Sequence, residues 1–339
     1  MSAFQDYLNI ASRLTPRRVA NSASVLGSYY RSRLAGQASH RGMPISIGIE
    51  PTTSCNLRCP ECPSGLRSFT RPTGMLEEEL FRRLIDELKD TLTYLTFYFQ
   101  GEPYLHPKFL SLVKYASQQN IYTATSTNAH YLNDKQARDT VESGLDRLII
   151  SLDGTDQHTY QQYRVGGNIG KVLEGTRNIL RWRKELRSKT PYVVFQFLVV
   201  KPNEHQVPEV QRLAKEMGVD NVLLKTAQIY DYRNGSDLIP TIDKYSRYSR
   251  SSDGTWSIKN QLLNHCWKMW NSCVVTWDGK VVPCCFDKDA HYTLGDLKKN
   301  SFGEIWRSRE YDDFRTSILR SREEIEICRN CTEGTKVWA

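Results

Sequence analysis

From about residue 45 to residue 225 the chain alternates between two hydrophobic patterns. Short β-branched and aromatic runs at 45–49, 94–99, 121–126, 147–152, 192–200 and 222–225 read as strands. Between them, residues 76–89, 108–118, 134–143, 172–186 and 204–217 repeat apolar side chains at three- and four-residue intervals and read as helices. Six strands alternating with helices imply a parallel sheet with right-handed crossovers, open or curled into a full or partial barrel. Either way, the chemistry belongs at the carboxyl ends of the strands.

The flanks differ. Thr15-Pro16 supplies an N-cap and a first-turn proline, and Val19, Leu26, Tyr29, Tyr30 and Leu34 then recur at helical spacing with arginines between them. Such a basic amphipathic helix suits a membrane surface or an anionic partner. Arginines also line the solvated face of a helix packed on its own domain, and that reading is favoured. After about Tyr230 the alternation stops. Asn234-Gly235-Ser236-Asp237 and Ser251-Ser252-Asp253-Gly254 are turn-rich, and short strands at 274–277 and 280–282 flank the turn Trp277-Asp278-Gly279-Lys280. The chain thus divides into an arm (1–43), an α/β core (44–232) and a small C-terminal region (233–339).

Composition narrows the class. With 39% hydrophobic and 25% charged residues the chain is an ordinary globular protein. It has no apolar run of membrane-spanning length and no secretory signal over Met1 to Ile10, so a cytoplasmic location is expected. The net charge is +8, but Arg13, Arg17, Arg18, Arg31, Arg33 and Arg41 against Asp6 place +5 of it within residues 1–43. No basic stripe runs through the remainder, which argues against nucleic acid.

Of the nine cysteines, Cys55, Cys59 and Cys62 fall within eight positions and the other six follow position 265. In a reducing compartment such clustering points to metal or redox chemistry rather than disulfides. Cys55-x3-Cys59-x2-Cys62 follows the first strand on a loop broken by Asn56, Pro60 and Pro63. Closed iron–sulfur sites use four cysteines, and structural zinc sites close with four nitrogen or sulfur ligands. Three thiolates alone favour an open cluster with one position left for a small molecule. Gly101-Glu102-Pro103, Thr127-Asn128 and Asp153-Gly154 follow the next three strands, so all of these motifs share one rim.

The cysteine spacing and these strand-end motifs together resemble the radical S-adenosylmethionine (SAM) superfamily. The resemblance implies an α/β fold, a partial (β/α)6 TIM-like barrel, with a [4Fe–4S] cluster on Cys55, Cys59 and Cys62. In that family the open iron is chelated by the methionine moiety of SAM, and electron transfer generates a 5′-deoxyadenosyl radical that abstracts hydrogen from substrate. By the same resemblance Glu102 binds the methionine ammonium, Ser126 and Asn128 lie near the cofactor, and Ser151, Asp153 and Arg164 mark the site of the methionine carboxylate. Asn203-Glu204 also fits. Gln100 replaces the usual first glycine of the second motif, and Glu61 stands where an aromatic residue often meets the adenine. A reductant such as flavodoxin or ferredoxin is implied as partner.

The late cysteines resemble the SPASM auxiliary-cluster domain in its shortened, twitch-like form, a small cysteine-rich α+β unit. It implies a second [4Fe–4S] cluster on Cys266, Cys284, Cys328 and Cys331, with Cys273 or Cys285 as possible replacements and zinc as the competing metal. Asp278 and Asp287 are candidate acid–base groups, or plain turn residues. Two substrate classes stand: a carbohydrate-like small molecule, or a peptide or protein that is crosslinked or oxidised. With about 43 residues before the first strand, a leader-peptide-binding domain is disfavoured. The alternative of another class is a non-enzymatic iron–sulfur or zinc protein, which would need a closed first site and no Glu102, Ser151 or Arg164.

Overall fold

The computed structural model describes residues 2–337. Helix α1 (Ala3–Ala11) begins at a reciprocal cap between Ser2 and Gln5. Helix α2 (Pro16–Ala35) starts at the expected Thr15-Pro16 cap and stops at Gly36, which takes the left-handed conformation. The core follows in order: β1 (Ser46–Ile49), α3 (Pro63–Leu66), α4 (Glu78–Leu88), β2 (Tyr94–Thr96), α5 (Phe109–Gln118), β3 (Tyr122–Thr127), α6 (Asp134–Glu142), β4 (Arg147–Ser151), α7 (Gln157–Tyr163), α8 (Ile169–Glu185), β5 (Tyr192–Val199), α9 (Val207–Met217) and β6 (Asn221–Thr226). Strands β1 to β6 pair in sequence order, all parallel. This is the arrangement that repeated strand–helix alternation demands.

The C-terminal region contributes β7 (Tyr248–Arg250), β8 (Trp256–Ile258), α10 (Lys268–Asn271), β9 (Ser272–Val275), β10 (Lys280–Val282), β11 (Gly295–Asp296), α11 (Phe302–Trp306) and α12 (Arg309–Arg320). Strand β9 runs parallel beside β1, from Ser46 opposite Ser272 to Ile49 opposite Val275. Strands β10 and β11 then add antiparallel, giving one sheet in the order β11-β10-β9-β1-β2-β3-β4-β5-β6. The core and the C-terminal region therefore share a sheet. Ser46 and Gly48 of β1, Thr96 of β2 and Lys225 of β6 line one cavity, although β1 and β6 lie far apart in the sheet order. The sheet must curl to bring them together, so the six parallel strands form a partial barrel. Helices α4, α5, α8 and α9 pack outside it through Leu84, Leu112, Val172 and Val210, all buried.

Segments without strong periodicity departed from expectation. Residues 97–99 leave the sheet, shortening β2, because the chain turns toward Gly101. Helices α1, α7, α11 and α12 add to those expected from the pattern. All four carry legible N-caps: Ser2 with Gln5 for α1, Asp156 for α7, Ser301 with Glu304 for α11 and Ser308 for α12.

The amino-terminal arm covers the barrel's other end. Asp6 on α1 is buried; it accepts from Tyr122 Oη at 2.5 Å and pairs with Arg147, the first residues of β3 and β4. Arg13 pairs with Asp146 at 2.7 Å and Arg17 with Asp90 at 2.7 Å. The guanidinium of Arg18 donates to the carbonyls of Arg13, Lys89, Gln119 and Asn120. Half of the arm's arginines are thus bound to the core. No helix among the described residues is long and apolar enough to cross a membrane.

Removing one partner of a buried ion pair strands the other charge. Asp6→Ala, which leaves Arg147 and the Tyr122 hydroxyl without their acceptor, is expected to cost about 3 kcal/mol. Urea unfolding monitored by circular dichroism checks this as a lowered midpoint at unchanged slope.

Candidate functional site

The Cys55–Cys62 loop leaves β1 at its carboxyl end and carries the single turn α3 directly after Cys62. Each cysteine faces a residue from a different element of the core. Asn128 Nδ2, after β3, lies 4.0 Å from Cys55 Sγ; Arg164 Nη1, after α7, lies 3.7 Å from Cys59 Sγ; Gln100, after β2, places Oε1 3.8 Å from Cys62 Sγ. An amide presents its oxygen to a thiol and its nitrogen to a thiolate, so Gln100 can serve either state. The Leu57 N–H also points at Cys55 Sγ, at 3.4 Å. Burial pushes the Cys55 thiol up to about 11 and raises that of Cys59. Neutral thiols in the bare protein must lose their protons to become ligands, and these donors are placed to favour the thiolates.

Glu102 is the charge centre of the rim. It is buried and accepts from Thr127 Oγ1 at 2.7 Å, the Asn128 N–H at 2.8 Å and the Tyr104 N–H at 3.3 Å. Burial pushes its carboxyl up to about 7 despite these donors. Gly101 lets the loop approach: its φ is +74°, and an added Cβ would sit 2.2 Å from the Thr52 carbonyl oxygen. Ser126 and Ser151 place their hydroxyl oxygens 3.4 Å apart on β3 and β4. Asp153 is fully buried and spent on protein contacts, accepting from the Leu198 N–H at 2.7 Å and from Arg164 Nε at 2.5 Å. It stands behind Arg164. Burial works against the charge of Arg164, but Asp153 and Cys59 outweigh it and hold the guanidinium charged.

Further residues support this rim, among them Glu50 and Arg71, which no motif had marked. Glu50, buried at the end of β1, takes a two-pronged pair from Arg71 at 2.6 and 2.8 Å and accepts from the Trp277 N–H at 3.2 Å. Asn203 donates to the Asp153 and Leu198 carbonyls, and Glu204 is used by Thr241 and the Ile242 N–H. Glu61 accepts from the Tyr230 N–H at 3.0 Å, which brings the half-exposed Tyr230 ring beside the cysteine loop.

The second cysteine set also converges. Cys266, Cys284, Cys328 and Cys331 line one cavity, together with Cys285, Lys268 and Glu333. Cys273 is elsewhere, buried on β9 beside the Tyr311 hydroxyl. Buried Arg322 donates to Cys331 Sγ at 3.2 Å, and the Glu333 N–H points at the same sulfur at 3.3 Å. Gly334 (φ +86°) is close enough that a Cβ there would lie 2.3 Å from Cys266 Sγ. Asp287 accepts from the His291 and Tyr292 N–H groups and Asp278 from Thr276 Oγ1, so both serve turns. Among the described residues no three His, Cys, Asp or Glu side chains are grouped as a single metal ion would need. Four thiols lining one cavity supply the ligand number of a closed iron–sulfur site.

Residues 49–214 match the radical SAM superfamily, and residues 266–332 match SPASM, an iron–sulfur cluster-binding domain. The chain is a radical SAM enzyme with a C-terminal SPASM domain. It is 27% identical over 299 residues to the tungsten-containing aldehyde ferredoxin oxidoreductase cofactor-modifying protein of Pyrococcus furiosus, covering 79% of this chain and 82% of that one. It is 25% identical over 293 residues to the PqqA peptide cyclase of Rhodopseudomonas palustris, covering 79% and 75%. In fold it is similar to Streptococcus suis SuiB bound to S-adenosylmethionine (TM-score 0.64, 13% identity, 92% of this chain and 77% of that one). It is also similar to BtrN in complex with AdoMet and 2-DOIA (TM-score 0.55, 17% identity, 88% and 96%).

A radical SAM enzyme with a SPASM domain uses a [4Fe–4S] cluster, SAM and auxiliary iron–sulfur chemistry, which makes this chain an iron–sulfur oxidoreductase-type enzyme. The non-enzymatic alternative falls with that membership. The structure fits these groups: both cysteine sets are gathered and faced by donors, and a buried carboxylate stands on the same rim as the first.

Glu102 has a raised carboxyl in the folded state, so its contribution to stability is full below the ordinary carboxylate range and is lost as pH rises through about 7. Without SAM, the melting temperature of the wild type should therefore fall relative to that of Glu102→Gln between about pH 5 and pH 8. Differential scanning fluorimetry across that range checks the sign.

Proposed function

We propose that this enzyme reductively cleaves SAM on a cluster held by Cys55, Cys59 and Cys62 and takes hydrogen from an unactivated C–H bond. The observation that carries the reading is the pairing of each loop cysteine with a residue from a different element, Asn128 after β3, Arg164 after α7 or Gln100 after β2, around the carboxylate of Glu102. The bound cluster and SAM supply the electron transfer and the carbon radical. The chain's own residues do the holding. Glu102, ionised, takes the methionine ammonium. Arg164, with Ser126 and Ser151 nearby, meets the methionine carboxylate through its fork. Asp153 and Asn203 position Arg164 and its loop. Asn128 ties Glu102 to the cysteine loop through Asn56 Oδ1 at 2.8 Å. Cys266, Cys284, Cys328 and Cys331 hold the auxiliary cluster, with Arg322 steadying their charge, and a flavodoxin- or ferredoxin-class protein supplies electrons.

The substrate is placed in the barrel lumen. That cavity is lined by Tyr98, Lys225, Lys268, Cys285, Glu333 and Lys336, three lysines against one carboxylate. Its charge supports a substrate bearing an anionic group, either a small molecule or a peptide.

Anaerobic reconstitution followed by dithionite and SAM should yield 5′-deoxyadenosine, read by liquid chromatography; an intact cluster with no such product would sink the proposal. Replacing Cys55, Cys59 and Cys62 by alanine should abolish the product and leave about four irons per chain. Loss of all iron would contradict two separate sites. Gly101→Ala should lower turnover by at least about tenfold, because the loop bearing Glu102 is pushed off Thr52.

A further inference from the structure

Helix α1 is seated with its apolar side outward. Phe4, Tyr7, Leu8 and Ala11 recur at helical spacing on one stripe, and Leu14 follows beyond the helix. Phe4 is 69% exposed, Tyr7 65%, Leu8 53% and Leu14 46%. The polar edge points in: Asp6 is buried against Arg147 and Tyr122, while Asn9 and Arg13 both reach Asp146. A helix on a water-facing surface ordinarily does the reverse. The helix cannot roll its stripe inward without exposing the Asp6–Arg147 pair, so the outward orientation is locked. Contiguous exposed apolar surface of this kind marks a docking site.

Its surroundings identify the occupant. Tyr192, the first residue of β5, pairs with Arg147 and so lies next to α1 on the amino-terminal rim. The last turn of α8 and the connection from it to β5 carry Lys184, Arg187 and Lys189, all exposed and in no ion pair among the described residues, beside exposed Leu186. Of the arm's arginines, Arg13, Arg17 and Arg18, which follow α1 in the chain, are already engaged and are not among the cations available here. An aromatic and aliphatic stripe bordered by free cations is matched to the headgroup region of an anionic bilayer. We propose that this rim docks on an anionic lipid surface, with α1 lying flat in the interface and the cysteine rim at the opposite ends of the strands facing away.

Flotation of the reconstituted full chain with phosphatidylcholine vesicles, with and without about one-third phosphatidylglycerol, tests this. Binding to the anionic vesicles should be at least about tenfold tighter than to the neutral ones and should weaken at high salt. The triple variant Phe4→Ser, Tyr7→Ser, Leu8→Ser should lose it, and Lys184→Glu, Arg187→Glu, Lys189→Glu should weaken it at least about tenfold. Both variants should keep the wild-type melting temperature and 5′-deoxyadenosine production. Failure to float with anionic vesicles, or flotation that both variants retain, overturns the proposal. So does a change of oligomeric state in the serine variant without vesicles, which would assign the stripe to a second copy of the chain.

Discussion

The parallel pairing of β1 with β9 is the constraint on which the rest depends. Four consecutive register pairs, Ser46 with Ser272 through Ile49 with Val275, lock the strand that launches the first cysteine loop to the strand that launches the hairpin bearing Cys284. Parallel strands cannot be joined by a tight turn, so this contact closes a loop of more than two hundred residues, and its entropy must be offset by what it organises. Glu50 reinforces it one residue later. Its carboxylate ties Arg71, beyond the cysteine loop, to the Trp277 N–H at the hairpin turn. Two metal-binding regions distant in sequence are thereby held in one rigid frame, as electron exchange or a shared substrate pocket requires.

Around that frame the rim is built from buried carboxylates in different electrostatic situations. Asp153 has a guanidinium beside it and a backbone donor, so its charge is matched by the protein itself. Glu102 has only neutral donors and is held near neutrality, up to about 7. An unmatched buried carboxylate destabilises the bare protein and becomes favourable when a cation arrives beside it. Stability surrendered at Glu102 is thus available for recognising a positively charged ligand, whereas Asp153 has none to give. That contrast supports the proposed division, cofactor recognition at Glu102 and positioning at Asp153, which the motif Ser151-Leu152-Asp153-Gly154 alone did not make.

The sequence made the periodic parts legible for a physical reason: a strand buried in a parallel sheet and a helix on its outer face each impose a repeat. Cys55, Glu102, Asn128 and Arg164 could be placed on one rim because parallel strands put all their carboxyl ends together. Tertiary pairing was not legible. Nothing in Ser272–Val275 distinguishes a strand in a separate small unit from one added beside β1, since both read as a short apolar run. No local pattern marks Glu50 as the partner of Arg71 or Asp6 as a buried acid within a basic arm. Cys285 and Cys273 were equivalent on paper; only the packing of β9 sends Cys273 toward Tyr311 while Cys285 lines the cavity.

Charge tells a similar story at the other end of the barrel. The arm's arginines dominate its composition, yet Arg18 is consumed by four carbonyl oxygens at the ends of neighbouring elements and Arg13 by Asp146. Those contacts complete hydrogen bonding that the ends of α4 and α5 would otherwise lack. Half of the basic side chains of residues 1–43 are therefore structural. The amphipathic signal survives, but it moves from α2 to α1 and inverts: the polar residues are the buried ones. The helix holds that arrangement in water because Asp6 anchors it to Arg147 and Tyr122, with Asn9 and Arg13 on Asp146. The ion pair that closes the barrel is the same one that keeps Phe4, Tyr7 and Leu8 facing out.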